Sequence, residues 1–422
     1  MKSLFVDGFL VVDRLVVWLY NTPIGVLSSP NDRRFFGLEW MPDAAQRWGE
    51  NSIILSTSLP VGDRFERGGR RVRNFFENLL PEGPSRAAMA RMIRVSQSNT
   101  FELLAQFGRD CAGAVSLLPE DQALEPDRTS GYRVLSPNDL RDELASIEVT
   151  PLGADPDDDF RPSLAGFQRK LLVGRTNDGQ WSKPHGNAPS TWILKPDGAF
   201  PSAVNELTCL NFARICGIDV PAAELIEIDG LPTLAIQRYD RSGGDRIHQE
   251  DGLQATGFPS NMKYESDKGP SLQRLSVVVN EFGNPDDIDE MLRRTVLQVA
   301  IGNADAHSKN IAFLHHPDDI GIRIAPIYDI ASTVSIKPVD EFGKRREFTT
   351  KLGQFIDGVS DVNQVRHENL VNEGVSWGMS RPRAGAIVGE LLDTAHNAAE
   401  THDTELSEVL IDRIERIAVA SL

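Results

Sequence analysis

Residues 301–310 read IGNADAHSKN, and residues 325–333 read APIYDIAST. They set Asp305, then Asn310, then Asp329 in the order in which a phosphoryl-transfer site uses its oxygen groups. In such a site one carboxylate takes the proton of the attacking hydroxyl. An amide oxygen and a second carboxylate hold Mg²⁺, a hard cation that prefers oxygen ligands and leaves places for phosphate and water. The D-x-x-x-x-N spacing also arises by chance in long chains, so its surroundings decide. MLRRTVLQVAIG (291–302) carries apolar residues at helical spacing, which predicts a buried helix before Asp305. IAFLHH (311–316) and GIRIAPIYD (321–329) read as short strands. A carboxylate between helix and strand, with another at a strand end, is the geometry of a site and not of a solvated face.

Working outward, WILKPDG (192–198) reads as a strand carrying Lys195. VNELTCLNFARICGIDVP reads as an amphipathic helix from about Ser202, stopped at Gly217 and Pro221, with Glu206 on its first turns. A lysine is a compact point charge that suits phosphates, and kinases place its acidic partner on the following helix. Each also reads plainly, as a strand-end lysine and a solvated helix glutamate. RPSLAGFQRKLLVGR (161–175) reads as strand, loop and strand, with Gly166 in a loop from Ser163 to Lys170 that would cover phosphates. That run matches neither the Walker loop nor G-x-G-x-x-G. AELIEIDGLPTLAIQRYD (223–240) reads as a hairpin around Asp229–Gly230. His307 has no second His or Cys at ligand spacing, so a hydrogen-bonding role in the loop is favoured over metal ligation. Lys309 reads as a cation for the transferring phosphoryl group or as a surface lysine. His248, Gln249, Glu250 and Asp251 form a polar cluster, a site wall or a helix N-cap.

The chain of 422 residues has room for two or three domains, and 40% hydrophobic with 25% charged residues is ordinary globular composition. No apolar run reaches membrane-spanning length, and Asp7, Asp13 and Arg14 interrupt the apolar N-terminus where a signal peptide would need a clean core. Three cysteines, Cys111, Cys209 and Cys216, lack metal-ligand spacing and read as buried free thiols of a reducing cytoplasm. A formal charge of −17 argues against a broad direct nucleic-acid surface. The one basic stretch, RFERGGRRVRNFF from Arg64, reads first as a solvated loop.

Residues 14–120 form one unit. VVWLYNTPIGVLSS reads as a hairpin turning around Asn21–Pro23, and FFGLEW and SIILSTSLP read as further strands. RNFFENLLPEGPSRAAMARMIR has helical periodicity broken by Pro81 and Pro84, SNTFELLAQFGRD starts as a helix at Ser/Asn, and CAGAVSLLPE ends the unit as a strand. Residues 121–160, polar and including the acidic run DPDDDF, read as a linker or surface loop. Residues 161–245 then read as a β-rich small lobe with phosphate loop and hinge, and 246–422 as a mainly helical large lobe with the catalytic and Mg²⁺ loops.

The combination SLAGFQRK, WILKP, Asn205–Glu206, IQRYDR, HQEDGLQATG, IGNADAHSKN and PIYDIAS resembles the HipA family of serine/threonine kinases. These are the toxin components of HipBA toxin–antitoxin modules. FFENLLPEGPSR and FGRDCAGAVS resemble the family's N-terminal domain, so the likeness runs from about Leu15 to the C-terminal helices. It implies an α+β, two-lobed protein-kinase-like fold preceded by an α/β domain. By position, Asp305 looks like the catalytic base, with His307 and Lys309 in the same loop, and Asn310 and Asp329 look like the Mg²⁺ ligands. Ser163, Leu164, Ala165, Gly166, Gln168 and Lys170 look like the nucleotide-covering loop, and Lys195 like the phosphate lysine. Gln237 and Tyr239 fall where the hinge contacts adenine, although family members commonly carry an acidic residue at the place of Gln237. Ser163 falls at the family's autophosphorylation position. The resemblance also implies ATP and Mg²⁺ as cofactors and an aminoacyl-tRNA synthetase as protein substrate. The partner would be a small helix-turn-helix antitoxin through which operator DNA is reached. A small-metabolite kinase on the same scaffold and a catalytically idle corepressor are the competing readings. Intact Asp305, Asn310 and Asp329 speak against the second.

Overall fold

The structure, a computed structural model, describes residues 4–6, 9–29, 36–62, 69–120, 130–155, 160–198, 202–318, 321–335, 349–402 and 406–418. A short hairpin, β1 (Leu4–Val6) and β2 (Phe9–Val11), precedes a four-stranded antiparallel sheet. In it β3 (Arg14–Leu19) and β4 (Thr22–Ser28) turn through Tyr20 and Asn21, both at positive φ, the two-residue turn whose twist matches a hairpin. β5 (Gly37–Trp40) lies beside β4. Four helices follow: α1 (Pro42–Trp48), α2 (Arg70–Glu77), α3 (Gly83–Met92) and α4 (Thr100–Phe107), the last capped by Asn99 accepting from the Glu102 amide. β6 (Val115–Pro119) closes the sheet against β3. Pro84 stands in the first turn of α3, where its missing N–H costs nothing, so it opens that helix instead of breaking one.

Two expectations fail in this part of the chain. SIILSTSLP is not a strand. Its hydroxyls bond sideways into the large lobe: Thr57 Oγ1 donates to the Ala255 carbonyl at 2.9 Å and Ser58 Oγ to that of Gln254 at 2.6 Å. Such side chains compete with a strand ladder for backbone partners. The polar stretch 121–160 is not simply a linker either. It holds β7 (Gly131–Val134) and α5 (Pro137–Ser146), the helix started by a Ser136–Asp139 capping box. Leu140, Leu144 and Ile147, at helical spacing within polar surroundings, are buried against Leu171, Val173 and Leu194 of the small lobe. Residues 121–129 and 156–159, with most of the acidic run, lie outside the described residues, as do Arg64 and Arg67 of the basic stretch.

The small lobe adds β8 (Leu171–Arg175), β9 (Trp181–His185), β10 (Trp192–Pro196), β11 (Ala223–Ile228) and β12 (Leu231–Gln237). The six-stranded antiparallel sheet runs β11-β12-β10-β8-β9-β7, and helix α6 (Ser202–Ile215) packs on it. In the large lobe a small hairpin, β13 (Arg241–Ser242) and β14 (Asp245–Arg246), leads into β15 (His248–Asp251). β15 pairs with β16 (Ala312–His315), which pairs with β17 (Ile322–Ile324). The cluster at His248–Asp251 is thus a buried strand whose last residue, Asp251, caps the short helix α7 (Gly252–Thr256). α8 (Leu272–Phe282) and α9 (Pro285–Ala300) follow. The hairpin β18 (Lys351–Ile356)–β19 (Val359–Asp361) and helices α10 (His367–Ser376), α11 (Arg381–Thr401) and α12 (Ser407–Ala418) complete the lobe. Val296, Leu297 and Ile301 of the α9 region are fully buried in its core, anchoring the start of the 303–310 loop. The three cysteines are buried and unpaired, and burial pushes their thiols up to about 12. No described helix is long and apolar enough to cross a membrane.

A buried charge cluster ties the N-terminal domain to the hinge. Asp110 accepts from Arg241 at 3.0 Å, Arg246 at 2.6 Å and Ser190 Oγ at 2.6 Å. Arg238, next to Gln237, grips Asp240 at 2.8 Å and 2.9 Å. Burial alone would raise both carboxyls. The arginines outweigh it, holding Asp110 well below the usual range and bringing Asp240 to about 2. A carboxyl depressed on folding stabilises in full above its unfolded pKa, near 3.9, and that stability drains as pH falls through the folded value. The cluster should therefore weaken between about pH 4 and 2. For Asp240 the loss is on the order of 2 kcal/mol. Denaturation of the wild type and of Asp240→Asn from pH 7 to 2 checks this. The variant should start less stable and change less over the acid window. Equal slopes would remove Asp240 from the explanation.

Candidate active site

Lys195 is near the end of β10, and its ammonium meets Glu206 Oε1 of α6 at 2.7 Å and Asp329 Oδ1 at 2.9 Å. Lys195 and Glu206 are both buried, so the solvated-face reading of Glu206 does not hold. Asp329 sits at φ 57°, in the left-handed region that non-glycine residues seldom adopt, and its side chain is 47% exposed toward the cleft. Burial would strip Lys195 of its proton, but Asp329 and Glu206 more than reverse this and hold the ammonium charged. Lys195, in turn, keeps Asp329 well below the usual carboxylate range.

The 303–310 loop leaves α9 and tightens into a 3₁₀ turn at Ser308–Asn310. Asn310 Nδ2 approaches the carbonyls of Asp305 and Asp329 at 3.5 Å each, so the amide lies between the two carboxylate-bearing segments. Its Oδ1 takes no donor among the described residues, nor does Asp329 Oδ2. Two hard oxygens aimed at one cleft fit Mg²⁺ carried on phosphate. No group of three His, Cys, Asp or Glu side chains placed for a metal occurs among the described residues. Asp305 Oδ1 accepts from the Tyr264 hydroxyl at 2.8 Å.

The other loop residues take different places from those expected. Lys309 is not poised at a phosphoryl group. Its ammonium is buried and donates to Asp251 Oδ2 at 2.6 Å and Asn78 Oδ1 at 2.8 Å, tying the loop to the α7 cap and to the N-terminal domain. An ammonium enclosed by these partners is not free to meet a phosphoryl group. His307 is buried, with its ring in a T-shaped contact with Tyr264 at 5.2 Å and Nδ1 without a partner among the described residues. Burial, then the Lys263 charge, lower its pKa, so the ring is neutral. It packs the loop against Tyr264. β18 presses on the same loop from below: a Cβ on Gly353 would stand 2.5 Å from the Ala306 carbonyl, so only glycine fits.

The loop from Ser163 to Lys170 lies over the cleft and is held largely by the N-terminal domain. Ser163 is fully buried, and its Oγ donates to the Leu79 carbonyl at 2.8 Å. The Ser163 amide donates to the Asp110 carbonyl at 2.9 Å, and the Glu82 amide to the Gly166 carbonyl at 3.1 Å. Leu164 packs on the N-terminal core, Gln168 reaches Ser202 Oγ at 3.3 Å, and Lys170 donates to the Ala165 carbonyl at 2.7 Å. Burial and then the neighbouring Lys195 charge bring Lys170 down to about 8. At the hinge, Gln237 has an exposed side chain, and its backbone N–H donates to the Ala222 carbonyl at 2.8 Å. Tyr239 donates to Gln249 and lies against Tyr328, ring centres 5.7 Å apart. Sequence reasoning missed Tyr264, Asn78 and Glu82. They come from irregular or distant segments, and no local pattern marks them.

Known proteins resemble the chain over both halves. The family model described as HipA-like C-terminal domain matches residues 162–399, and that of the HipA N-terminal domain matches residues 15–118. A Sinorhizobium fredii protein named "Putative kinase Y4mE" is 37% identical over 311 residues, covering 70% of this chain and 71% of that protein. The serine/threonine-protein kinase toxin HipA of Shewanella oneidensis is 27% identical over 383 residues, covering 84% of this chain and 86% of the toxin. Among solved structures, a chain from the Shewanella oneidensis complex of HipA, HipB and operator DNA superposes with a TM-score of 0.78 at 25% identity. The match spans 95% of this chain and 97% of that one.

Proposed function

Since the chain belongs to the HipA family and has its two-lobed kinase-like fold, we propose that it is an ATP- and Mg²⁺-dependent serine/threonine protein kinase acting as a type II toxin. The observation that carries this reading is the convergence of three distant segments. Lys195 meets Glu206 at 2.7 Å and Asp329 at 2.9 Å, and the Asn310 amide reaches toward the carbonyls of Asp305 and Asp329. Lys195 would hold nucleotide phosphates, and Asn310 Oδ1 and Asp329 Oδ2 would hold Mg²⁺. Bound Mg²⁺ neutralises charge on the transferring phosphoryl group. Asp305 would orient the acceptor hydroxyl and take its proton once Tyr264 yields that lone pair. The loop from Ser163 to Lys170 would exclude water from the phosphates, and Gln237 and Tyr239 would flank the base at the hinge.

The proposed substrate is an aminoacyl-tRNA synthetase and the proposed partner a helix-turn-helix antitoxin that carries the protein to operator DNA. The relative whose structure includes HipB and operator DNA supports the partner, and the net charge of −17 supports contact through it. The test is intact-mass spectrometry after incubation with Mg·ATP, alone and with candidate synthetases. A gain of one phosphate on either protein supports the kinase reading. Full mass conservation of both overturns it.

Ser163 is proposed as the self-silencing site. Its hydroxyl is enclosed and already bonded to Leu79, so the present loop position has no room for a phosphate. A phosphate there adds close to two negative charges beside those of ATP. The loop must then leave the cleft. ATP should bind the phosphorylated form at least about tenfold more weakly, roughly 1.4 kcal/mol. Calorimetry on mass-verified samples reads this, and equal affinities would sink the silencing role.

A further inference from the structure

We infer that Glu82, a residue of the N-terminal domain, is a positioning residue of the phosphoryl-transfer site and sets the arm that holds Asp305. The inference rests on the kinase reading above. Glu82 immediately precedes α3 and touches both sides of the cleft. Its amide donates to the Gly166 carbonyl of the phosphate-covering loop at 3.1 Å. Its carboxylate Oε2 pairs with Lys263 at 3.2 Å, both side chains only 17% exposed, and Oε1 lies 4.0 Å from the Lys309 ammonium.

Lys263 carries this contact to the base. Its ammonium lies 5.4 Å from the centre of the adjacent Tyr264 ring, the distance of a cation–π contact. The same ring makes a T-shaped contact with His307, and its hydroxyl donates to Asp305. The Lys263 carbonyl accepts from Ser308 Oγ at 2.8 Å, inside the 303–310 loop. So the ring that orients Asp305 is gripped by a lysine whose own position is set from another domain. Burial, followed by the Asp305 charge, raises the Tyr264 pKa, which keeps its hydroxyl a donor.

The backbone next to Glu82 fixes this placement. Gly83 has φ +54°, and a Cβ there would stand 2.3 Å from the Phe167 ring, so the chain passes close under the phosphate-covering loop. One turn earlier, Asn78 Oδ1 accepts from Lys309. The segment from Asn78 to Gly83 therefore sets the phosphate-covering loop and the base-bearing loop at one mutual distance.

Glu82→Gln keeps the backbone contact to Gly166 and the side-chain volume while removing the charge that holds Lys263. Phosphate transfer from Mg·ATP should fall about tenfold in kcat with KM for ATP changed less than about twofold, because the nucleotide contacts stay. Tyr264→Phe should cost a similar factor. In the double variant the two losses should not multiply, since both act through one ring on Asp305. Multiplied losses, or an unchanged kcat in Glu82→Gln, overturn the inference while leaving the kinase reading intact. If the wild type transfers no phosphate at all, the kinase reading fails, and hydrogen exchange then decides Glu82 as a structural coupling. Amides of residues 262–269 should exchange at least about threefold faster in Glu82→Gln than in the wild type, and equal rates overturn it.

Discussion

Asp305→Asn should abolish phosphoryl transfer while leaving the fold and Mg·ATP binding in place. Asparagine keeps the volume and can still accept from the Tyr264 hydroxyl, now at 2.8 Å from Asp305 Oδ1. It has no basic lone pair to take the acceptor proton. Positioned acid–base groups supply 10²–10⁴-fold, so residual activity above about a tenth would overturn the assignment of the base. Asp329→Ala separates the roles. It removes a proposed Mg²⁺ oxygen and also a partner of Lys195, so Mg·ATP affinity should fall along with turnover. Single-turnover transfer with nucleotide binding measured in parallel distinguishes a lost base from a lost ligand.

Lys195→Met carries the second large effect, on stability as well as on function. Lys195 and Glu206 are both buried, and methionine would leave the Glu206 carboxylate enclosed without its cation. Removing one partner of a buried pair costs about 3–5 kcal/mol. Glu206→Gln in the same chain should return most of that stability, because a neutral amide carries no buried charge. It should not return nucleotide binding, because the cation proposed to meet the phosphates is still missing. Denaturant unfolding of the two variants gives the first quantity and calorimetry with Mg·ATP the second. A Lys195→Met protein as stable as the wild type would mean the pair is not enclosed in solution.

These two predictions differ in how early they can be made. The one for Asp305 follows from IGNADAHSKN and its flanks, because four residues between a carboxylate and an amide fit one tight loop between the helical pattern before it and the strand patterns after it. The one for Lys195 needs the tertiary structure. A strand-end lysine and a helix glutamate read equally well as solvated residues, and only burial at 2.7 Å makes their pairing costly to break. Lys309 shows the opposite outcome. Its place in the loop pointed to phosphate, yet Asp251 and Asn78 enclose it.

Local pattern by itself determined most elements. The first hairpin is legible in it, but turns at Tyr20–Asn21 and not around Asn21–Pro23, since Pro23 lies inside β4. The hairpin at Asp229–Gly230 follows from turn chemistry, and α4, α6 and α9 follow from caps and apolar periodicity. Each depends on interactions within a few residues, which a sequence states directly. Composition misled at residues 131–146, where the buried stripe Leu140–Leu144–Ile147 outweighed polar neighbours, and at residues 52–60, where Thr57 and Ser58 bond to the large lobe. The tertiary structure alone decided that the N-terminal domain is part of the site wall. Asp110 meets the arginines after the hinge, Leu79 and Glu82 hold the loop from Ser163 to Lys170, and Asn78 meets Lys309. Those contacts join residues dozens to hundreds of positions apart. Nothing in the local spacing of either partner encodes the other, because it is the packing of three units around one cleft that brings them within hydrogen-bonding distance.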